Sequence, residues 1–289
     1  MPLREYAAPQ GTIVYAKRGL GDPVLLVHGI YPGASHREFD HTVATLAAKH
    51  EVYAVDLLGF GQSDAPRRAH DTQLHQHLLR DFIKEVIARP TAVVGGGLSC
   101  GVAVRLGVYD DAWISRLVLL APPNPKVFHE PLGLADRFSH FLLGTLAIGA
   151  GHYGNASTRA GLREFLQDSY HDAKAITRDV IDQLFTEANE PNKMMPYISA
   201  LCGYFDMDLS NWLPSVRRPT LVLVGRDQLP VPSEKWLKRA PWSQGKWIDV
   251  IDDARDFPHR EQSAKVNEKL LQFLSGDALV PSPGTPGEG

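Results

Sequence analysis

The sequence predicts an α/β fold, a mostly parallel sheet flanked by helices on both faces, with a helical lid inserted between two of its strands. Three observations predict it. Short apolar runs recur as continuous blocks rather than in strict alternation, which marks strands buried on both faces. Apolar stripes at helical spacing stand between those runs, as a sheet with crossover helices requires. One stretch, residues 124–213, holds helical patterns and no convincing strand.

In chain order, the first predicted strand is Val24–Val27, followed by a helix whose stripe is Phe39, Val43 and Leu46. Val52–Val55 is the next strand, and Leu74, Leu78, Phe82 and Val86 form the next helical stripe. Ala92–Val94 and Leu117–Leu120 are strands with a helix between them. Inside the insertion, Leu162–Tyr170 and Val180–Ala188 repeat at helical spacing. Leu221–Val224 and Trp247–Ile251 return to the sheet, and Val266, Leu270 and Leu274 form a closing helix. The division expected is a core of 1–123 and 214–275, a helical cap of 124–213, and a tail of 276–289. In that tail Pro281–Gly289 is almost entirely Pro, Gly, Ser and Thr and is expected to be disordered without chemistry.

The chain has 289 residues, with 30 Lys and Arg against 33 Asp and Glu, a net charge of −3. At this length a chain buries roughly three quarters of its unfolded surface. It therefore needs neither disulfides nor a structural metal, and Cys100 and Cys202 can supply neither a disulfide framework nor a zinc site. No cofactor or metal is expected. No basic stripe offers the charge that nucleic acid or an anionic membrane requires, so both partner classes drop out, and a protein partner stays unidentified. Met1–Gln10 lacks the apolar core of a secretory signal, which places the protein in the cytoplasm. The longest apolar stretch, Phe141–Ala150, is broken by Gly144 and Gly149 and is too short to cross a bilayer.

Four segments resemble the α/β-hydrolase family over nearly the whole chain up to Leu274. Val24-Leu-Leu-Val-His-Gly29 is similar to the family's strand and His-Gly loop, and Asp56-Leu-Leu-Gly-Phe-Gly-Gln-Ser-Asp64 to the loop after the next strand. Thr220-Leu-Val-Leu-Val-Gly225 resembles the strand that carries the acid, and Asp256-Phe-Pro-His-Arg-Glu-Gln262 the loop that carries the catalytic His. The resemblance implies a nucleophile on a sharp strand-to-helix turn, a His to take its proton and a carboxylate to orient the His.

Under one register all three are replaced. In Val93-Val-Gly-Gly-Gly-Leu-Ser-Cys-Gly101 the nucleophile position falls on Gly97, whether counted from the strand before it or back from Leu117. The acid position, three residues after Gly225, is Gln228, and the catalytic His position is Asp256. An Asp at 97 would have implied an epoxide hydrolase or a dehalogenase; Gly excludes both.

A literal Gly-X-Ser-X-Gly does occur two residues on, as Gly97-Leu-Ser-Cys-Gly101. A hydrolase using Ser99 would need His259 as its base and Asp227 as its acid, each displaced from the family position, and a strand extended through three glycines. The blander reading makes Ser99 a small residue packed in the helix's first turn, His259 a packing or capping residue, and Cys100 a small buried hydrophobe. His28 is expected to fix its loop; an ion pair of Asp256 with Arg226 or Arg255 at the pocket floor is one reading, and surface pairing of the two arginines is the stronger expectation.

What binds rather than reacts is expected to survive. The residues expected around a ligand are His28, Gly29, Ile30, Tyr31, Gly97, Leu98, Gln228 and Asp256. Backbone N–H groups of Leu98 and of Ile30 or Tyr31 would form a corner for an oxyanion or carbonyl, helped by a helix starting at Leu98. Phe138, Phe141, Leu142, Leu143, Tyr197, Phe205 and Trp212 would line an apolar cavity or simply form the core of the lid. By family analogy the ligand is small, largely apolar and carries a carbonyl or carboxylate. Three functions follow in order: a non-hydrolytic pseudoenzyme that binds this ligand or a protein partner, a hydrolase acting through Ser99, and a lyase or isomerase using Asp256 as acid or base. A buried, desolvated Asp256 favours the third and a paired, solvated one the first.

Overall fold

The computed structural model describes residues 2–123, 133–145, 147–205, 209–228 and 246–276. Eight strands form one sheet in the order β1-β2-β4-β3-β5-β6-β7-β8. They are β1 (Leu3–Ala8), β2 (Gly11–Arg18), β3 (Asp22–Val27), β4 (His50–Val55), β5 (Thr91–Gly96), β6 (Ile114–Leu120), β7 (Thr220–Gly225) and β8 (Trp247–Ile251). From β4 to β8 every pairing is parallel, while β1 and β2 pair antiparallel at the edge. All six predicted strands are present.

The hairpin of β1 and β2 has no counterpart in the sequence-based prediction. β1 is a mostly exposed edge strand whose Arg4 and Glu5 interrupt any apolar run, so a search for continuous blocks passes over it. Tyr6 anchors it: the hydroxyl donates to Glu85 at 2.8 Å and the ring meets Phe82 edge-on.

The helices of the first half are α1 (Asp40–Leu46), α2 (Thr72–Phe82) and α3 (Ser99–Tyr109). Between β6 and β7 lie α4 (Leu134–Thr145), α5 (Ala147–Ala156), α6 (Arg159–Ser169), α7 (Arg178–Ala188), α8 (Met194–Leu201) and α9 (Leu209–Trp212), with no strand among the described residues. Thr158 and Thr177 cap α6 and α7 by accepting from Gly161 and Val180 N–H groups. After β8 come α10 (Pro258–Glu261) and α11 (Ser263–Ser275). No helix among the described residues is long and apolar enough to cross a membrane.

Side chains alternate between two cores because successive strand residues point to opposite faces. Leu25, Val27, Val93, Leu117 and Leu119 pack with α2 and α3 through Leu78, Phe82, Val102 and Leu106. Val24, Leu26, Val94, Val118 and Leu120 pack on the other face with Val43, Leu46, Val266 and Leu270 of α1 and α11. Both faces are therefore covered.

Two expectations need correction or bounding here. The helix after β5 starts at Ser99, not Leu98; Leu98 occupies the cap position and supplies no side-chain bond. Residues 277–289 of the expected tail and 124–132 of the expected lid lie outside the described residues.

Candidate functional site

β5 ends at Gly96, and the chain turns at Gly97 with φ +52° before entering α3. The Gly97 N–H donates to Leu120 O at 2.9 Å, and its carbonyl accepts from Cys100 N–H at 3.0 Å. The three successive glycines have different causes. A Cβ on Gly95 would lie 2.9 Å from Ser99 O, and one on Gly96 would lie 2.8 Å from Glu38 Oε1, so packing demands both. A Cβ on Gly97 would meet no atom of the described residues within 4 Å. Only the left-handed backbone favours glycine there. Among the described residues, the turn has open space at its apex and no side chain to fill it.

Ser99, Cys100, Asp227 and His259 all lie elsewhere. Ser99 is fully buried and its Oγ donates to His28 O at 2.6 Å. The Cys100 thiol donates to Gly95 O at 3.2 Å, and burial pushes its pKa up, so the thiolate is suppressed. Asp227 contacts His171, with Oδ2 2.5 Å from Nδ1, in a half-exposed pair. His259 is buried against Phe39, with Nε2 3.1 Å from Glu38 Oε1. No bond joins any two of Ser99, His259 and Asp227 among the described residues.

Gln228 is 8% exposed. Its Nε2 donates to Pro122 O at 2.9 Å, while its Oε1 is buried without a partner among the described residues. Asp256 is held through its backbone, which donates to Ser169 O at 3.0 Å. Burial pushes its carboxyl up to about 6, against the opposing pull of Arg255. The ion pair with Arg226 or Arg255, the lesser of the two expectations, is absent among the described residues. Arg226 reaches Asp252 instead, and Arg255 Nη1 donates to Asp168 O at 2.8 Å. Arg226 pairs at the exposed surface and Arg255 is half-buried with its Nε lacking a partner among the described residues, and neither pairs with Asp256.

The loop after β3 stands beside this turn because Val27 pairs with Gly95. His28 is fully buried with both ring nitrogens committed: Nδ1 donates to Gly29 O at 2.7 Å and Nε2 accepts from Leu57 N–H at 3.0 Å. This fixes a neutral tautomer, and burial lowers its pKa accordingly. The Gly29 N–H is committed too, to Glu38 Oε2 at 3.0 Å, and the Tyr31 hydroxyl donates to the same oxygen at 2.7 Å. The ligand list of His28, Gly29, Ile30 and Tyr31 therefore narrows, since His28 and the Gly29 N–H serve the loop itself. No acceptor among the described residues takes the backbone N–H of Ile30, Tyr31 or Leu98.

Sequence reasoning missed Glu38. Burial would push its carboxyl up, yet His259, His28 and the Tyr31 hydroxyl outweigh burial and hold it at about 2. One carboxylate thus links the 28–31 loop to α10, from below the turn at 97. A lone Glu beside the apolar stripe of Phe39, Val43 and Leu46 was the available signal. Asp56 does a similar task next door, accepting from His36 N–H at 2.6 Å, His36 Nδ1 at 2.8 Å and Gln62 N–H at 2.9 Å.

Of the aromatic and aliphatic residues expected to line a cavity, Phe138 and Phe141 are each 62% exposed and point outward. Phe205 is buried against His75, and Trp212 packs on Tyr109. Tyr197 shares a hydrogen bond with His152 Nδ1 at 3.0 Å, and Leu142 and Leu143 are half-buried. Outward-facing phenylalanines belong to an amphipathic helix surface and not to a cavity wall.

Comparisons with known proteins agree with this architecture. The chain is 24% identical over 284 residues to the 2-hydroxy-6-oxo-6-(2'-aminophenyl)hexa-2,4-dienoic acid hydrolase of Metapseudomonas resinovorans, covering 92% of this chain and 88% of that protein. It is 23% identical over 282 residues to epoxide hydrolase 3 of Xenopus tropicalis, covering 89% of this chain and 72% of that protein. A solved serine hydrolase involved in carbazole degradation superposes with a TM-score of 0.77 at 23% identity, over 95% of this chain and 98% of the other. An esterase from Exiguobacterium antarcticum superposes with a TM-score of 0.75 at 18% identity, over 94% and 98%. The description of the alpha/beta hydrolase family matches residues 24–269, and the chain belongs to that family.

Proposed function

We propose that this chain binds a small, largely apolar, carbonyl-bearing ligand over Gly97, with the helices between β6 and β7 as its lid, and forms no covalent bond to it. One observation carries the reading: the apex of the turn has open space and no side chain, while the nearby hydroxyl of Ser99 is spent on His28 O. Nucleophilic catalysis needs an oxygen or sulfur presented with a base in reach. Neither group is provided here. The uncommitted N–H groups of Ile30, Tyr31 and Leu98 support binding of a carbonyl oxygen, because preorganised donors cost no reorganisation when the ligand arrives.

A serine-directed fluorophosphonate followed by intact-mass measurement tests this reading. No adduct is expected; an adduct on Ser99 would establish the hydrolase alternative. Gly97→Ser, Gln228→Asp and Asp256→His combined restore the family's nucleophile, acid and base. This variant is expected to hydrolyse p-nitrophenyl esters above background, and a folded but inert one would count against the register.

A second reading has its own support. Asp256 is half-buried and has no pair among the described residues, and partial burial raises its carboxyl to about 6, where one group can both take and give a proton near neutral pH. A lyase or isomerase step would have Asp256 move the proton while the N–H corner holds the enolate oxygen. Exchange of α-protons of a bound ketone into D2O, lost in Asp256→Asn, would establish this reading, and no exchange in the wild type would leave binding alone.

A further inference from the structure

A polar cavity of about 900 Å³ lies between α7 and the loop after β4. None of the residues expected around a ligand at Gly97 lines it. Lys193 does, although its side chain is only 9% exposed. The Nζ donates to Ser63 O at 3.0 Å, and Ser63 belongs to the same wall, so the amine is held at the cavity and not out in solvent. Lys193 forms no ion pair among the described residues.

An ammonium group is costly in these surroundings. A buried Lys is nearly always paired, and this one stands at the N-cap of α8, the helix end whose dipole opposes a cation. Burial lowers its pKa and outweighs the upward pull of Asp56, Glu190, Glu187 and Asp64. The neutral amine keeps its bond to Ser63 O and gains a nitrogen lone pair. Glu187 lines the same cavity and shares with Lys193 a narrow crevice beside it. Burial raises the Glu187 carboxyl against the opposing effect of Ser35, so it keeps its proton to a higher pH than an ordinary carboxylate. Along the wall, Asp64, Asp179, Glu187 and Glu190 outnumber Arg37 and Lys193, which disfavours an anion and admits a neutral molecule.

We infer that Lys193, held by Ser63 in the wall of this cavity beside Glu187, is a nucleophilic amine that captures neutral aldehydes as an imine, with Glu187 as the proton donor. The Nζ lone pair attacks the aldehyde carbon, the carbonyl π pair moves to oxygen, and a proton passes from Nζ to that oxygen to give a carbinolamine. Glu187 then protonates the hydroxyl, the C–O bond breaks and water leaves as the nitrogen lone pair forms C=N. The Glu187 carboxylate takes back the remaining N–H proton. The step is a condensation, so no oxidant, reductant or cofactor enters it.

Reductive trapping tests this on the full chain. Limiting benzaldehyde is added at pH 7 with sodium cyanoborohydride, whose hydride converts the imine to a stable benzylamine, and the label is located by peptide mass mapping. Lys193 is expected to be labelled at least about tenfold faster than the exposed Lys49, Lys174 and Lys265, which stay protonated at this pH. Lys193→Met should remove that label and leave the exposed lysines unchanged. Glu187→Gln, which cannot give up a proton, should slow labelling of Lys193 about tenfold without affecting the others. Replacing benzaldehyde by 4-carboxybenzaldehyde should slow it as well. Labelling of Lys193 no faster than that of the exposed lysines overturns the proposal. An unchanged rate in Glu187→Gln overturns the part given to Glu187, and equal rates for the two aldehydes overturn the preference for a neutral one. If Lys193→Met does not fold, the wild-type map decides alone.

Discussion

An L-residue held at left-handed φ costs about 1–2 kcal/mol, so a family member pays strain to present its nucleophile, and Gly97 at φ +52° does not. The apex is roomy, so Gly97→Ser should fold and lose only about 1 kcal/mol in urea denaturation. Gly96→Ser should lose clearly more, because its Cβ would lie 2.8 Å from the buried Glu38 Oε1. Asp256 makes a prediction of definite sign. Its carboxyl rises from 3.8 to about 6 in the native state, through burial. Between those values the native protein holds a proton that the unfolded chain has released. Stability is therefore greatest below about 4 from this group and falls as pH rises through 6, by about 3 kcal/mol in total. Asp256→Asn should raise Tm at pH 7.5 and remove this slope; a lowered Tm would mean the carboxylate has a partner.

The loop that carries the N–H corner is held from below by Glu38, against Gly29, Tyr31 and His259. Removing one member of a buried charged group costs about 3–5 kcal/mol. Glu38→Ala is expected to lose stability in that range, measured by chemical denaturation, whereas Glu5→Ala on the edge strand should change little. The strands that frame the site were legible in the sequence, because Val24–Val27 or Leu221–Val224 buried on both faces leaves an unbroken apolar run. The hairpin of β1 and β2 was not, since one exposed face disperses the signal. The positions of Gly97, Gln228 and Asp256 could be counted from family spacing alone. Glu38 and the unpaired state of Asp256 could not, because each depends on contacts between residues distant in the chain. Surface pairing of the arginines, the stronger expectation, is what Arg226 makes with Asp252, while Arg255 turns to Asp168 O.

Across the molecule, the family's sheet and helices persist, and on the proposed register Gly97, Gln228 and Asp256 stand at the three positions that would break bonds. The histidines oppose Asp256 in their pH response. Burial lowers the His70 pKa from 6.5 to about 4, so the stability it contributes is present above 6.5 and is lost as pH falls towards 4, by about 3 kcal/mol. Fully buried His75 shifts in the same direction. Because His75 adds to the slope of His70, the wild type should lose stability as pH falls below 6.5, but less steeply than Asp256→Asn, read from urea midpoints at pH 4 to 7. The most direct test of the central claim is rapid mixing of excess wild-type protein with p-nitrophenyl butyrate. The bare turn at Gly97 is expected to give no burst of p-nitrophenolate; a stoichiometric burst that Ser99→Ala abolishes would contradict it.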